Sequence, residues 1–510
     1  MNKKYDVIVV GAGGAGLRAA LSAKESGAEV LIVTKEYPTR SQTCMAQGGI
    51  NAALGNVSED SIEAHIANTI KSAHGEADEE AIRFMCSEAP SAVAWLDSIG
   101  VCFSRTEDGK IAQRRLGGAS APRACYAQDY TGLKILHTLY DKVLEAEIEI
   151  INEQFLLDLL LSEEGAVCGV SLLDIRSGES QEILSSAVIM ATGGYSRLYD
   201  KNSTNSTAST GDGIAVAKRA GAKLIDMEFV QFHPTALKNS SILIGESARG
   251  EGGYLLNSKG ERFTNELAPR DEVSRAIDAE IKRGEDIFLD IRHLGEAFID
   301  ESLPQERKLA KLYENVDPVA SLMPIKPVAH YTMGGIEVDH KSQTNIAGLF
   351  ACGECANHRV HGGNRLGGNA LLEIIVFGKE AGEQSARYAK AYQAQMPKTA
   401  DKSMLQEIKE YTNEYDFYKK KGYIGDLFYK NVGIVRREEE LLLVQSEIAN
   451  IKENITKYGV SDASEVYNTN RVEFLEFLNL LDVAESVVAG ALARKSSCGA
   501  HYMAGEDDAS

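Results

Sequence analysis

The glycine run Gly11-Ala12-Gly13-Gly14-Ala15-Gly16 constrains the fold more than any other stretch of the chain. It follows an apolar run from Tyr5 to Val10 and opens a helical pattern through Lys24, and Glu29 to Thr34 then reads as a second strand. Together these make a β-α-β unit. Gly11, Gly13 and Gly16 have the dinucleotide-fingerprint spacing. One glycine makes the turn, one admits a pyrophosphate against bare backbone, and one lets helix pack on strand, with the phosphates on the helix N-terminus. The second strand ends at Lys35, where an NAD fold would offer an acid to the ribose, so a plain NAD site is disfavoured.

Two later segments, AVIMATGG at Ala187 to Gly194 and GLFACGE at Gly348 to Glu354, repeat the pattern of a buried strand ending in glycine. Strands of one kind so far apart suggest a single α/β nucleotide-binding sheet interrupted by an insertion. A chain of 510 residues also exceeds what one core holds, roughly 250 to 300 residues. The predicted division is a discontinuous nucleotide-binding domain over 1–225 and 345–387, an inserted domain over 226–344, and a helical C-terminal domain over 388–510. Pro397-Lys398 falls near the last boundary, and Lys419 to Lys421 and Arg436 to Glu440 read as solvated helix faces.

A net charge of −20 and a pI near 5.1 argue against nucleic acid or an anionic membrane as direct partners. No run approaches the roughly 20 apolar residues of a membrane span, and the N-terminus lacks a signal-peptide pattern. The expectation is a cytoplasmic chain that reaches the inner membrane only through partner subunits. The eight cysteines show no repeated metal-ligand spacing; Cys352-x-x-Cys355 lacks a second pair and reads as buried strand, so no metal site is predicted.

Polar groups concentrate among glycines in a few segments: Glu228 to Thr235, Gly245 to Gly253, Pro269-Arg270-Asp271, His330 to Gly335, and His361 to Arg365. Planar arginine forks match carboxylates, and glycines let backbone approach a ligand. Reduction of an activated C=C bond needs a hydride at one carbon and a proton at the other. Arginine, with a pKa above about 12, can deliver that proton only if a neighbouring carboxylate reloads it.

In order along the chain, GAGGAG, STGDG, FVQFHPT, ESARGEGG, PRDEVSRAI, PVAHYTMGGI and GLFACGECANHRVHGGNRLGGNALLE resemble the motifs of fumarate reductase and succinate dehydrogenase flavoprotein subunits, strongly over residues 4 to 385. The resemblance implies a Rossmann-like FAD-binding domain interrupted by an α+β capping domain, with the substrate between them. It implies Arg270 as proton donor to fumarate, Glu246 and Arg249 as its relay, and His233, His330 and Arg365 as holders of the substrate carboxylates. For FAD it implies Gly11, Gly13, Ala15, Gly16, Lys35, Ser41, Gln42, Thr43, Gln47, Gly48, Gly49, Asp212, Glu354 and Asn369. It also implies an iron–sulfur electron-transfer subunit as partner and a fumarate or succinate-type dicarboxylate as substrate.

Some positions depart from the family pattern. Gln42 stands where membrane-complex members carry the histidine that bonds covalently to FAD, so the expectation is non-covalent FAD, a lower flavin potential, and a lean towards fumarate reduction. Gly245 replaces the usual threonine before the relay glutamate and removes a hydroxyl. In the tail, Ser496 and Cys498 stand in place of Glu and Arg, which bears on docking to an iron–sulfur subunit. Two alternatives remain: a flavoenzyme resembling L-aspartate oxidase, against which Leu116 stands where that family has a glutamate facing the substrate amine, and a flavin-binding partner protein without turnover.

Overall fold

The computed structural model describes residues 5–392, 396–398, 416–462 and 464–505. The first four residues and parts of the expected C-terminal domain, 399–415 and 506–510 among them, lie outside the described residues. Strand Tyr5–Val10 pairs in parallel with Val30–Thr34, Val7 opposite Val30 and Val10 opposite Val33, and helix Gly14–Glu25 makes the crossover. Both strands are almost entirely buried, as parallel strands covered on both faces must be, which is why they read as unbroken apolar runs.

Strand Ser180–Met190 is shared between two pairings. Its end lies in parallel beside Tyr5–Val10 and beside Leu349–Ala351. Its beginning is antiparallel to Val167–Asp174, which in turn pairs with Gln154–Leu161. With Glu149–Asn152 on the far side of Val30–Thr34 these make one seven-stranded sheet. The two distant glycine-ended segments thus flank each other in one sheet, as expected.

Between them in sequence, a four-stranded antiparallel sheet runs in the order Val230–Leu237, Met323–Thr332, Ile287–Asp290, Tyr254–Leu256. Helices Arg270–Lys282 and Pro304–Glu314 accompany it, and Leu255, Val273, Ile277 and Leu289 share a core of its own. The first pairing slips register twice, between Gln231 and Phe232 and between His233 and Ala236. Pro234 has no N–H to give the ladder. Bulges of this kind bend a strand and re-aim its side chains, here those of Gln231 and His233.

The C-terminal helices Phe417–Asn431, Glu438–Glu453 and Thr469–Ala493 do not form a detached bundle. Phe428, Leu441 and Val483 lie in the same hydrophobic cluster as Leu31 and Val188 of the large sheet. One expectation fails here. Arg436 is completely buried, its Nη1 donating to Glu228 O at 2.9 Å and its Nε to Gly433 O at 3.1 Å. It stands in the turn before helix Glu438–Glu453 and serves backbone carbonyls rather than a solvated helix face. The Cys352 and Cys355 thiols are both buried, and Cys355 Sγ donates to Met190 O at 3.2 Å.

Candidate active site

A long cavity begins where the fingerprint loop meets the helix. Gly11 has φ +106°, and a Cβ there would lie 2.2 Å from Ala191 O; one at Gly16 would lie 2.0 Å from Gly11 O. Only bare backbone permits this approach of turn, helix and strand. Helix Gly14–Glu25 has no side-chain cap. Gly14 N donates to Thr43 Oγ1 at 3.0 Å, and the rest of its first turn is left to face an anion. Gly11, Gly13, Ala15, Ser41, Gln42, Thr43, Gln47, Gly48 and Gly49 line the cavity. Buried hydroxyls of Ser41 and Thr192 have no hydrogen-bond partner among the described residues. An open helix N-terminus, spare hydroxyls and, further out, the apolar Phe155 and Leu156 fit a dinucleotide such as FAD.

Lys35 and Asp212 line the outer end but are bound to each other. Lys35 Nζ is 2.7 Å from Asp212 Oδ2 and 2.6 Å from Glu476 Oε1. Burial pulls the Lys35 pKa down, but the two carboxylates outweigh it and hold the ammonium charged. The pair ties the nucleotide end of the cavity to helix Thr469–Ala493. Gln42 also lines the cavity, its Oε1 accepting from Ser206 N at 2.7 Å. Glu354 accepts from Thr332 N at 2.9 Å, and burial pushes its pKa up to about 7.

At the inner end His233, Glu246, Arg270, His330 and Arg365 come together, from five separate sequence segments. Arg270, first residue of helix Arg270–Lys282, donates to Glu246 Oε2 through Nε at 3.0 Å and Nη2 at 2.6 Å. Gly117 N donates to Glu246 Oε1 at 2.7 Å, and Arg249 Nη2 stands 3.9 Å from that oxygen. Burial pushes the Glu246 carboxyl up, but Arg270 and Arg249 reverse this and hold it ionised. His233 and His330, ring centroids 4.9 Å apart, are kept neutral first by burial and then by Arg270. Thr235 N lies 3.2 Å and Thr235 O 3.3 Å from His233 Nδ1, so the Thr235 backbone orients the ring through Nδ1. Burial, then Arg270, lowers the Arg365 pKa to about 10; its guanidinium lies 4.2 Å over the Tyr331 ring.

Arg270 and Arg365 line this end of the cavity with Arg249 behind them, against the ionised carboxylate of Glu246, so the buried site carries excess positive charge. Such charge is costly unless an anion enters to pair with it.

Three of the expected residues do not line the cavity: Gly16, which packs the helix against the Gly11 turn, Asn369 and Arg249. Asn369 does not reach the cavity. Its Oδ1 accepts from Asn51 Nδ2 at 2.7 Å and lies 3.0 Å from His65 Nε2, and its Nδ2 donates to Thr69 Oγ1 at 3.0 Å. The side chain is spent fixing the wall from behind, while its neighbours Gly368 and Ala370 line the cavity. Arg249 likewise stands behind Glu246, its Nη1 donating to Glu266 O at 2.6 Å. A residue the sequence reading passed over is Gln231, whose Oε1 accepts from both Arg270 Nη1 and Arg365 Nη2 at 3.0 Å each. It lies two residues before His233 on the same strand, a period-two signal that was there to be read.

Fold and cavity together define an FAD-binding flavoprotein with a capped, cationic pocket. Residues 6–371 match the FAD binding domain family, and residues 422–507 match the family described as fumarate reductase flavoprotein C-term. The chain is 39% identical to the succinate dehydrogenase flavoprotein subunit of Rickettsia conorii, over 98% of this chain and 90% of the relative. To the fumarate reductase flavoprotein subunit of Escherichia coli K12 it is 38% identical, over 98% and 88% respectively. The solved E. coli quinol fumarate reductase superposes with a TM-score of 0.92 at 35% identity, over 99% of this chain and 92% of that one. The chain belongs to the succinate dehydrogenase and fumarate reductase flavoprotein subunit family. Among the described residues no helix is long and apolar enough to cross a membrane.

Proposed function

We propose that this chain is the catalytic flavoprotein subunit of a fumarate reductase, acting on fumarate and succinate with non-covalently bound FAD. The observation that carries this reading is the buried cationic pocket with an ionised carboxylate on its proton-donating arginine. Bound FAD supplies the hydride. Arg365 and His233 hold the substrate carboxylates, with His330 beside them, oriented by Thr204 Oγ1 at 2.8 Å. Arg270 gives the proton to the carbon opposite the hydride, and Glu246, paired to it through two N–H groups, restores it. Arg249 continues the path away from the cavity.

Gly11, Gly13 and Ala15 would cradle the pyrophosphate, with Gly16 packing the helix against the turn behind them, and Ser41, Thr43 and Gln47 to Gly49 would line the flavin. Glu354 would serve the ribitol or ribose side. Asn369 acts only by supporting that wall. The capping domain, 226–344, would close over the substrate against the discontinuous FAD-binding domain. Leu116 lines the cavity, and a leucine cannot pair with an ammonium group, which disfavours L-aspartate. The relatives include subunits of quinol-linked enzymes, which supports an iron–sulfur subunit as electron partner and membrane contact only through partners. With the holoenzyme reduced by a viologen dye, fumarate should reoxidise the dye, and Arg270→Ala should abolish this. A flavin indifferent to fumarate would sink the reading, and oxygen-dependent consumption of L-aspartate would replace it.

A further inference from the structure

The cavity wall at Gly245 is built differently from its neighbours. Gly245 has φ −62° and ψ 161°, a conformation any residue adopts, so its backbone does not require glycine. Space does. A Cβ at this position would lie 2.5 Å from Gln47 Oε1, 2.9 Å from Glu306 Oε1 and 3.0 Å from Ser247 Oγ. Three polar oxygens from three parts of the chain thus converge on the spot a side chain would fill.

Gln47 is 2% exposed and lines the cavity, yet neither Oε1 nor Nε2 has a hydrogen-bond partner among the described residues. Glu306 is fully buried in the first turn of helix Pro304–Glu314 and makes no ion pair among the described residues. Its Oε1 accepts from Ser247 Oγ at 2.6 Å, and its Oε2 has no partner. The helix start is pinned from across the fold, Asp129 Oδ2 accepting from Gln305 N at 2.7 Å and Glu306 N at 3.1 Å. Burial of the Glu306 carboxyl and the Asp129 carboxylate near it outweigh Arg114 and favour its acid form, which has one proton to donate. Gln47 Oε1 is a buried acceptor without a donor among the described residues, and it converges with Glu306 Oε1 on the Gly245 position.

We infer that Glu306 is a positioning residue of the substrate site, which by donating to Gln47 Oε1 turns the Gln47 carboxamide so that its N–H groups meet a substrate carboxylate. Gln47 then occupies the place vacated at Gly245 and returns a donor to that wall. Ser247 holds Glu306 in register with the loop that carries Glu246. The inference rests on the proposed dicarboxylate reading of the site.

The test titrates the FAD-loaded protein with succinate and with malonate, read by the flavin absorbance change, alongside KM and kcat for fumarate. Glu306→Leu should weaken dicarboxylate binding about tenfold, the worth of one hydrogen bond to a charged group, and raise KM with kcat within about threefold. Glu306→Gln retains one donor and one acceptor and should stay within about threefold of wild type. Gln47→Leu should match Glu306→Leu, and the double variant should be no weaker than either, as expected of residues acting through one contact. Unchanged binding in Glu306→Leu, additive losses in the double variant, or a Glu306→Gln as weak as the leucine would each overturn the inference. Should Glu306→Leu fail to fold, Ser247→Ala, which frees the acid from its anchor, should weaken binding several-fold, and unchanged binding there overturns it equally. A wild-type protein that neither binds nor reduces dicarboxylates would overturn the functional reading and this inference with it.

Discussion

Replacing Glu306 with glutamine should stabilise the protein at alkaline pH and leave it unchanged near pH 5. In the folded chain the Glu306 carboxyl is fully buried, with Ser247 Oγ donating to it, Asp129 opposing its ionisation and Arg114 favouring it. Burial first, and Asp129 second, push its pKa from 4.5 up to about 8. Between those values the folded state keeps a proton that the unfolded chain has released, so stability falls as pH rises through the window and levels off above it. The interval corresponds to roughly 5 kcal/mol at most. Glutamine does not titrate and escapes this loss. Asp129, raised to about 6, and Glu354, raised to about 7, both chiefly by burial, slope the same way but are present in both proteins. They largely cancel in the comparison. Urea unfolding of wild type and Glu306→Gln, each with FAD bound, at pH 5.5, 7, 8 and 9, should show a difference growing by roughly 3 kcal/mol across the series. Parallel pH profiles would refute the reasoning, because a carboxyl left ionised or reached by water carries no such linkage.

Arg270→Lys keeps a charge but loses the two-pronged contact with Glu246 and the bond to Gln231, so kcat for fumarate should fall by about 10² or more with FAD content unchanged. A kcat within fivefold of wild type would remove arginine from the proton path. Gly245→Ala should raise KM about tenfold, since its Cβ would sit 2.5 Å from Gln47 Oε1; an unaltered KM would show that the wall yields freely. Denaturing precipitation should release FAD into the supernatant, because an amide at Gln42 forms no bond to the flavin; flavin retained on the polypeptide would contradict this. Arg436→Met should cost about 2 to 4 kcal/mol in unfolding, leaving the Glu228 and Gly433 carbonyls without their donor, and a loss under 1 kcal/mol would count against a structural role.

The parts of this fold that were legible in sequence are those whose signal is local. Tyr5–Val10, Val30–Thr34 and the end of Ser180–Met190 announce themselves because a strand covered on both faces is apolar throughout. The fingerprint glycines announce themselves because close backbone approach tolerates nothing else. His233, Arg270, His330 and Arg365 were legible as residue types beside glycines, though not their pairing through Gln231, a neutral side chain that draws no notice.

What stayed hidden was burial imposed from far along the chain. Glu306 sits in the stretch Gln305-Glu306-Arg307-Lys308, which reads as a solvated helix start, and Arg436 precedes a run of glutamates. Both are buried because a distant partner meets them: Asp129 and Ser247 for the first, Glu228 for the second. Asn369 reverses the case, since it stands in a ligand-like motif and spends its side chain on Asn51, His65 and Thr69. Gly245 shows how a correct local reading can mislead. In sequence it is a lost hydroxyl, and so a weaker hold on a carboxylate. In the structure the space is taken by the oxygens of Gln47, Glu306 and Ser247, each placed by a different element. The glycine is therefore the condition for a differently built wall, and its cost to substrate binding depends on whether those three groups act together.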